Sequence, residues 1–138
     1  MFFVIRKNHI ILASLLILTL LSAICFSFKT KDENLRLCSN FIKSIGYSFE
    51  QTPYETSLIT IPEGFGKVYE NYNSIQKEAG FDLTPLRGKT VMRYTFTLKN
   101  SEYSIINILI SDGKICGGDI MNPSSSGKMI PLLPKNNH

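Results

Sequence analysis

The chain is constrained most by an uncharged apolar stretch of 19 residues near its start, which runs from Ile10 to Phe28. As a helix this stretch would be about 28 Å long, close to the ~30 Å hydrocarbon core of a membrane. Arg6 and Lys7 precede it, as basic residues precede the apolar region of an export signal. Two basic residues also follow it, so the positive-inside rule by itself adds little. We expect a single-pass protein of the cell membrane, with its N-terminus in the cytoplasm and its C-terminal domain outside.

Three fates of this segment are compatible with the sequence. The apolar run is longer than the 7–15 residues typical of a cleaved signal peptide, which favours an uncleaved anchor. Ser22-Ala23-Ile24-Cys25 loosely resembles a lipoprotein cleavage site, but Ile24 occupies the position that favours a small residue. A cleaved signal and a lipid on Cys25 are therefore the alternatives to the anchor.

The remaining 110 residues are enough for one modest core. They carry 13 Lys and Arg against 11 Asp and Glu, a balance that gives no case for nucleic-acid binding. We predict a cytoplasmic stub and transmembrane anchor at residues 1–28, an extracytoplasmic domain at 29–122 and a Pro- and Ser-rich tail at 123–138.

Two amphipathic helices are predicted in the exported part. Residues 31–45 repeat apolar positions every three or four residues. A second helix is predicted to begin near Pro62, where Thr60 and Glu63 have the spacing of a capping box, and to end at Gly80. Its apolar stripe comprises Phe65, Val68, Tyr72, Ile75 and Ala79.

Alternating apolar residues predict an antiparallel sheet. Short strands are expected at 47–51 and 57–61, and longer ones begin near residues 89, 103 and 114. Asp112-Gly113 predicts a two-residue hairpin that pairs Ile110 with Ile115 and Leu109 with Cys116. An odd-length loop near residue 100 would place one coherent apolar set on a single face. That set is Met92, Tyr94, Phe96, Leu98, Ile106, Ile108, Ile110 and Ile115.

Together these elements predict an α+β fold. A transmembrane helix precedes a small, mainly antiparallel sheet with two helices packed on it. The face opposite the apolar set is mixed in composition, neither cleanly solvated nor cleanly buried. Its members are Arg93, Thr95, Thr97, Ile105, Asn107, Leu109 and Cys116.

Few residues of the exported part carry chemistry. His138 is its one histidine, which argues against Ser-His-Asp and Cys-His catalysis and against a His/Cys metal site. Glu63, Glu70 and Glu78 are better explained as a solvated helix face than as a glycosidase pair. We expect no catalytic residue, no metal and no cofactor.

The cysteines leave two alternatives open. Cys116-Gly117-Gly118-Asp119 suits a strand with a bulge or a close backbone approach, and a reactive thiol beside a carboxylate is the alternative. A disulfide between Cys38 and Cys116 is permitted in an exported domain. Cys38, however, falls on the apolar face of the first helix, where a free buried cysteine is ordinary.

Six residues are candidate contacts for a partner or ligand: Tyr69, Asn73, Gln76, Asp82, Arg93 and Asp119. Tyr69 and Asn73 are the candidates for a sugar-binding platform on the second helix. Gln76 falls inside the apolar arc, so we expect its amide to bond to neighbouring backbone, with a ligand contact as the alternative. Asp82 is expected to accept backbone N–H groups in the turn after Gly80.

Three sequence stretches belong together: Ile61-Pro62-x-x-Phe65-x-x-Val68-Tyr69-x-x-Tyr72-Asn73-x-Ile75-Gln76-Lys77-x-x-Gly80-Phe81-Asp82-Leu83, Gly88-Lys89-x-Val91-x-Arg93-Tyr94-Thr95 and Gly117-Gly118-Asp119-Ile120. They resemble a Firmicutes family catalogued as a domain of unknown function, typical of short membrane-anchored proteins. The resemblance covers roughly residues 35–129. It implies an extracytoplasmic α+β domain and supplies no activity, cofactor or catalytic residue. The chain departs from the family pattern near Asn100 and near Ser124.

The sequence thus predicts a membrane-anchored, extracytoplasmic module that binds a protein, a peptide or a cell-wall component. A hydrolase acting on the cell wall and a purely structural envelope protein are the alternatives. An exposed sheet edge or apolar patch would favour partner binding. A deep polar pocket with convergent ionisable groups would favour the enzyme.

Overall fold

The computed structural model of the protein describes residues 7–122 and 127–134. The chain divides into two compact units, Met1–Glu33 and Asn34–His138. In chain order the elements are helix α1 (Lys7–Ser44), strands β1 (Ser48–Phe49) and β2 (Glu55–Thr60), helix α2 (Lys67–Glu78), a 3-10 turn (Thr84–Leu86), and strands β3 (Thr90–Lys99), β4 (Ile105–Ser111), β5 (Lys114–Met121) and β6 (Met129–Ile130). This is the predicted α+β class, with one antiparallel sheet and a further helix after the long apolar one.

The first unit consists of the apolar part of α1. Within α1, His9–Ser44 is long and apolar enough to cross a membrane, and its most apolar window has a mean hydropathy of 2.6. None of that window is buried. Hydroxyl groups bond back along the helix, as Ser14 does to the carbonyl of Ile11 at 2.8 Å. Thr19, Ser22 and Ser27 make similar bonds to carbonyl groups of the same helix.

All strand pairs in the second unit are antiparallel. β1 and β2 both pair with β3, at opposite ends of that strand, and the order continues β3–β4–β5–β6. Phe96 faces Ile106, which confirms the odd-length loop between β3 and β4. The predicted apolar set therefore does share one face of the sheet.

The β4–β5 hairpin turns at Asp112 and Gly113, which have positive φ angles of 48° and 69°. Ile110 faces Ile115, as predicted. The predicted pairing of Leu109 with Cys116 is wrong, because Leu109 faces Gly117. The register shifts at a bulge between Leu109 and Ile110, opposite which Cys116 is the extra residue of β5.

The two faces of the sheet carry separate cores. On the first face, Cys38 and Ile42 of α1 pack with Tyr94, Phe96 and Ile108. The second face carries a smaller core, and aromatic side chains of α2 pack against it. Its buried members are Ile61, Leu83, Val91 and Leu109. The helices thus cover opposite faces of the sheet.

Helix α2 begins at Lys67, not near Pro62 as predicted. Gly66 precedes it with extended backbone and no side-chain cap. The proposed capping box is wrong, because Thr60 ends β2 and its hydroxyl lies 3.2 Å from that of Thr90. Gly64 and Gly66 lie between the strand and the helix, and glycine is a poor helix former.

The buried stripe of α2 also differs from the prediction. Val68 is 82% exposed. Tyr69, Tyr72, Asn73 and Gln76 follow the i, i+3, i+4, i+7 spacing of one helix face, and all are buried or half-buried. Every one of these side chains has a polar atom, so α2 meets the sheet through hydrogen bonds as well as apolar contact.

The described part of the predicted tail is extended. Met129–Ile130 forms β6, which pairs with β5, and Leu132 packs into the first-face core. Residues 123–126 and 135–138 lie outside the described residues, as do residues 1–6 of the predicted cytoplasmic stub.

Candidate functional site

A row of polar side chains crosses the second face of the sheet beneath α2. Thr95 of β3 donates its hydroxyl to Oδ1 of Asn107 at 2.7 Å, and Nδ2 of Asn107 donates to Oδ1 of Asp119 at 2.9 Å. These residues are direct cross-strand partners. The Tyr72 hydroxyl completes the row from α2, donating to Oδ2 of Asp119 at 2.9 Å. The row thereby ties the helix to three strands.

Burial sets the electrostatics of this row. Asp119 is 3% exposed, and burial raises its pKa, although hydrogen bonds from Asn107 and Tyr72 and the charge of Arg93 act in the other direction. Burial also raises the pKa of the Tyr72 hydroxyl, as does the adjacent Asp119. A raised carboxyl pKa suits a general acid. Both carboxylate oxygens are bonded beneath α2, however, so a reactant would reach Asp119 after movement of the helix.

Gln76 joins α2 to β5 beside this row. Its Oε1 accepts the backbone N–H of Gly118 at 2.7 Å, which confirms the predicted bond from Gln76 to neighbouring backbone. A Cβ on Gly117 would lie 2.6 Å from the same oxygen, so the close approach requires glycine. Nε2 of Gln76 is buried and has no hydrogen-bond partner among the described residues.

Asn73 and Asp82 form a second polar cluster where α2 leads into the 3-10 turn. Nδ2 of Asn73 donates to Oδ1 of Asp82 at 2.9 Å, and Oδ1 of Asn73 accepts the N–H of Leu83 at 2.8 Å. Asp82 also accepts the N–H of Thr84 at 2.9 Å, as predicted for a residue that fixes this turn. Hydrogen bonds from Thr84 and Asn73 hold the Asp82 pKa well below its usual range. The amide of Asn73 is therefore fully used within the fold.

Tyr69 belongs to an aromatic row instead. Its ring centroid lies 5.2 Å from that of Phe65 and 5.8 Å from that of Tyr72, and Arg87 lies 4.3 Å above the Phe65 ring. Tyr69 is half-buried, whereas Asn73 is buried. The fold does not present these two side chains together as a platform.

Arg93 lies at the margin of the second face. Its Nη2 is 2.8 Å from Oε1 of Glu55 on β2, and this hydrogen bond lowers the pKa of Glu55. Both side chains are partly exposed, so the ion pair is screened by solvent. Of the six candidate contacts, Gln76 bonds to the residue before Asp119, Arg93 acts on Asp119 through its charge, and Asn73 and Asp82 are bonded to each other.

The thiols of Cys38 and Cys116 are separate and stay protonated near neutral pH. Cys38 lies in the first-face core, and burial raises its pKa to about 12. Cys116 is half-buried against the second-face core, and burial raises its pKa to about 11. All three cysteines are free. The structure therefore contains neither the disulfide nor an activated thiol, and the bulge at Cys116 is the favoured alternative from the sequence.

Strand β2 forms an open edge of the sheet, which the sequence did not single out. In the described part of the chain, no strand pairs with its outer side. Leu58 is 67% exposed and the adjoining Tyr54 is 77% exposed. At the other edge, β6 is two residues long and is followed at once by Pro131. Short strands and proline protect an edge, and β2 has neither protection.

Two hydrogen bonds fix which backbone groups of β2 point outward. The N–H of Leu98 bonds to the carbonyl of Ser104, so even-numbered residues of β3 face β4 and odd-numbered ones face β2. The N–H of Ile61 bonds to the carbonyl of Lys89, so odd-numbered residues of β2 face β3. The N–H and C=O groups of the even-numbered residues therefore point away from the sheet. These residues are Thr56, Leu58 and Thr60.

Within residues 7–122 and 127–134, no group of three or more His, Cys, Asp or Glu side chains could hold a metal ion. Comparisons with protein-family models, with curated proteins and with solved structures find no match.

Proposed function

We propose that this chain is a single-pass membrane protein whose domain lies outside the cytoplasm and binds a protein partner by adding a strand to the edge of β2. The observation that carries the proposal is the outward row of N–H and C=O groups at Thr56, Leu58 and Thr60. An extended peptide backbone satisfies such a row, as in other recognition modes that extend a sheet.

The side chains at this edge are more typical of a binding surface than of a surface that stays in contact with water. Leu58 of β2 and Tyr54, which directly precedes the strand, are large and mostly exposed. Glu55 is the one charged residue of the strand, and Arg93 neutralises it. Natural edge strands commonly carry lysine or proline to prevent pairing, and β2 carries neither within its bounds.

The anchor is supported by the apolar helix and by the order of the chain. His9–Ser44 includes a window apolar enough to cross a membrane. A short basic start followed by an apolar block is typical of an export signal, which keeps its N-terminus in the cytoplasm. Against the hydrolase, the converging Tyr72 and Asp119 are bonded to each other beneath α2. A saccharide lacks the alternating donors and acceptors of a peptide backbone, so the open edge favours a protein over a cell-wall glycan.

Photo-crosslinking in living cells tests this proposal. A benzophenone amino acid at Tyr54 is expected to give a discrete protein adduct on irradiation. The matched control carries the same probe at Val68, which is equally apolar and exposed but lies on α2. Equal labelling at both positions, or none at Tyr54, would count against binding at the β2 edge.

A further inference from the structure

We infer that the partner of the β2 edge is a second copy of this chain, paired antiparallel through β2 about a two-fold axis. The inference rests on the proposed function, since it names the occupant of the same edge. Four properties support it: the register of the backbone groups, the contact between apolar side chains, the absence of facing like charges, and the confinement of all copies to one membrane.

Backbone geometry limits the possible registers. Two antiparallel residues exchange both of their hydrogen bonds when the groups of each point toward the other. An even-numbered residue of one β2 must therefore face an even-numbered residue of the other. In the register centred on Leu58, this residue faces its own counterpart, and Thr56 faces Thr60 of the second copy. About six backbone hydrogen bonds would form, two in each of the facing pairs.

Apolar matching favours this register over its neighbours. Leu58 lies at the centre against Leu58 of the second copy, which covers a side chain that is 67% exposed. Threonine pairs, which are favourable across strands, lie on either side of this central contact. A register shifted by two residues would place Leu58 against Thr56 and separate the two leucines.

Charge permits the same arrangement. Glu55 would face Ile61 of the second copy, whose neighbour on β3 is Lys89. Glu55 at the start of each β2 strand thus approaches Lys89 of the second copy. No like charges face each other in the pair, a condition that directly opposed strands require.

Confinement of the copies to one membrane explains why pairing of two short strands is enough to form a dimer. β2 has 6 residues, so its pairing buries less than the roughly 1,200–2,000 Å² of a stable interface between soluble proteins. Copies anchored in one membrane share a surface, which raises their effective concentration. The edge of β2 is therefore better suited to another anchored copy than to a dilute soluble protein.

Cysteine crosslinking of the full chain in its membrane tests the pairing. Leu58→Cys is made together with Cys25→Ser, and the buried Cys38 and the half-buried Cys116 are the same in every variant. Facing Cα atoms in a hydrogen-bonded pair are about 5.5 Å apart, within disulfide range. A mild oxidant should give a covalent dimer at least ~10-fold faster with Leu58→Cys than with Ile59→Cys, which lies on the other side of the strand and faces Ser57.

Mixed copies define the register. Copies carrying Thr56→Cys, co-expressed with differently tagged copies carrying Thr60→Cys, should crosslink to each other. A crosslink of Thr56→Cys to Leu58→Cys in its place would overturn the register centred on Leu58.

Charge substitution provides a second readout. Leu58→Lys should abolish the dimer in detergent, because it places like charges at the axis, and a mixture of Leu58→Lys with Leu58→Glu copies should restore it. Val68→Lys should have no effect, because Val68 lies on α2 and is 82% exposed. If the chain stays monomeric and resists crosslinking while the Tyr54 probe still captures a different protein, the inference of a second copy is overturned and the proposed function stands. Absence of both signals would overturn the two together.

Discussion

Gln76 and Gly117 are fitted so closely that a Cβ on the glycine would lie 2.6 Å from Oε1 of the glutamine. The same oxygen accepts the N–H of Gly118 at 2.7 Å. Gln76 is completely buried, so its amide cannot move aside into solvent. The approach of α2 to β5 is therefore set by one amide on the helix and two glycines in the strand.

Gly117→Ala is expected to destabilise the domain by roughly 1–3 kcal/mol, because the new methyl group displaces the Gln76 amide. In a Gln76→Ala background the same change should cost much less, since the obstructing oxygen is gone. Urea unfolding of the full chain in detergent, followed by near-ultraviolet circular dichroism, measures both costs. Gly64→Ala is the control, because nothing lies within 4 Å of its Cβ position. Equal costs in both backgrounds would contradict the contact.

Gln76→Leu and Gln76→Glu separate the loss of a hydrogen bond from the burial of a charge. Leucine leaves the N–H of Gly118 unpaired, at roughly 1–3 kcal/mol. Glutamate still presents an acceptor, but near neutral pH it places a second carboxylate close to Asp119. Unfolding titrations should show Gln76→Glu losing stability as pH rises and Gln76→Leu with no such added dependence. Wild-type stability in both variants would mean that Gln76 is solvated in solution.

The sequence predicted the strands and the buried amide well because both follow from local periodicity. Alternation defined the apolar face of β3 and β4, and Asp112-Gly113 defined the hairpin. Gln76 was recognised because its position on the helical wheel does not depend on where α2 begins. The beginning of α2 was predicted wrongly from Pro62 and a capping-box spacing, since local signals do not reveal that β2 extends to Thr60.

The row of polar side chains from Thr95 to Asp119 was not predicted, because its formation depends on one extra residue in β5. Without the bulge at Cys116, Asn107 would face Gly118, and Asp119 would lie on the opposite face. The bulge shifts the register by one residue and brings Asp119 beside Asn107. Likewise, a strand pattern at residues 57–61 does not reveal which strand ends at the edge of the sheet. Both facts depend on tertiary pairing.

Asp119→Asn tests the charge in this row. Burial raises the pKa of Asp119 in the folded state above its ordinary value of 3.8. The folded protein therefore binds this proton more tightly than the unfolded chain does, and the associated stability is lost as pH rises through the folded pKa. Asparagine can accept from Asn107 and donate to Tyr72 without a charge. Stability of the variant relative to wild type should thus be greater at pH 7 than at pH 4, and a difference that is constant with pH would contradict this account.

Phe96→Ala tests the first-face core. The Phe96 ring is completely buried and makes an edge contact with Phe49 at 5.4 Å between centroids. Its truncation should cost roughly 3–5 kcal/mol. Val68→Ala is the matched control, with an effect within about 0.5 kcal/mol, because Val68 is mostly solvated. Thr95 is no control for the other face, since its hydroxyl is buried and bonded to Asn107. Similar losses for Phe96→Ala and Val68→Ala in urea titrations would show that the register is wrong.

Membrane topology is tested by labelling single cysteines in intact cells with a maleimide that does not cross membranes. Val68→Cys, in a Cys25→Ser background, should react at once, because Val68 is exposed, whereas Cys38 is buried, Cys116 is half-buried, and burial raises the pKa of both thiols. Lys7→Cys should react after the membrane is made permeable, since it precedes the apolar stretch. The reverse pattern would place the domain in the cytoplasm. The mass of the labelled chain supplies the last distinction: an uncleaved anchor retains the N-terminal residues, whereas a cleaved signal removes them and the Lys7→Cys label with them.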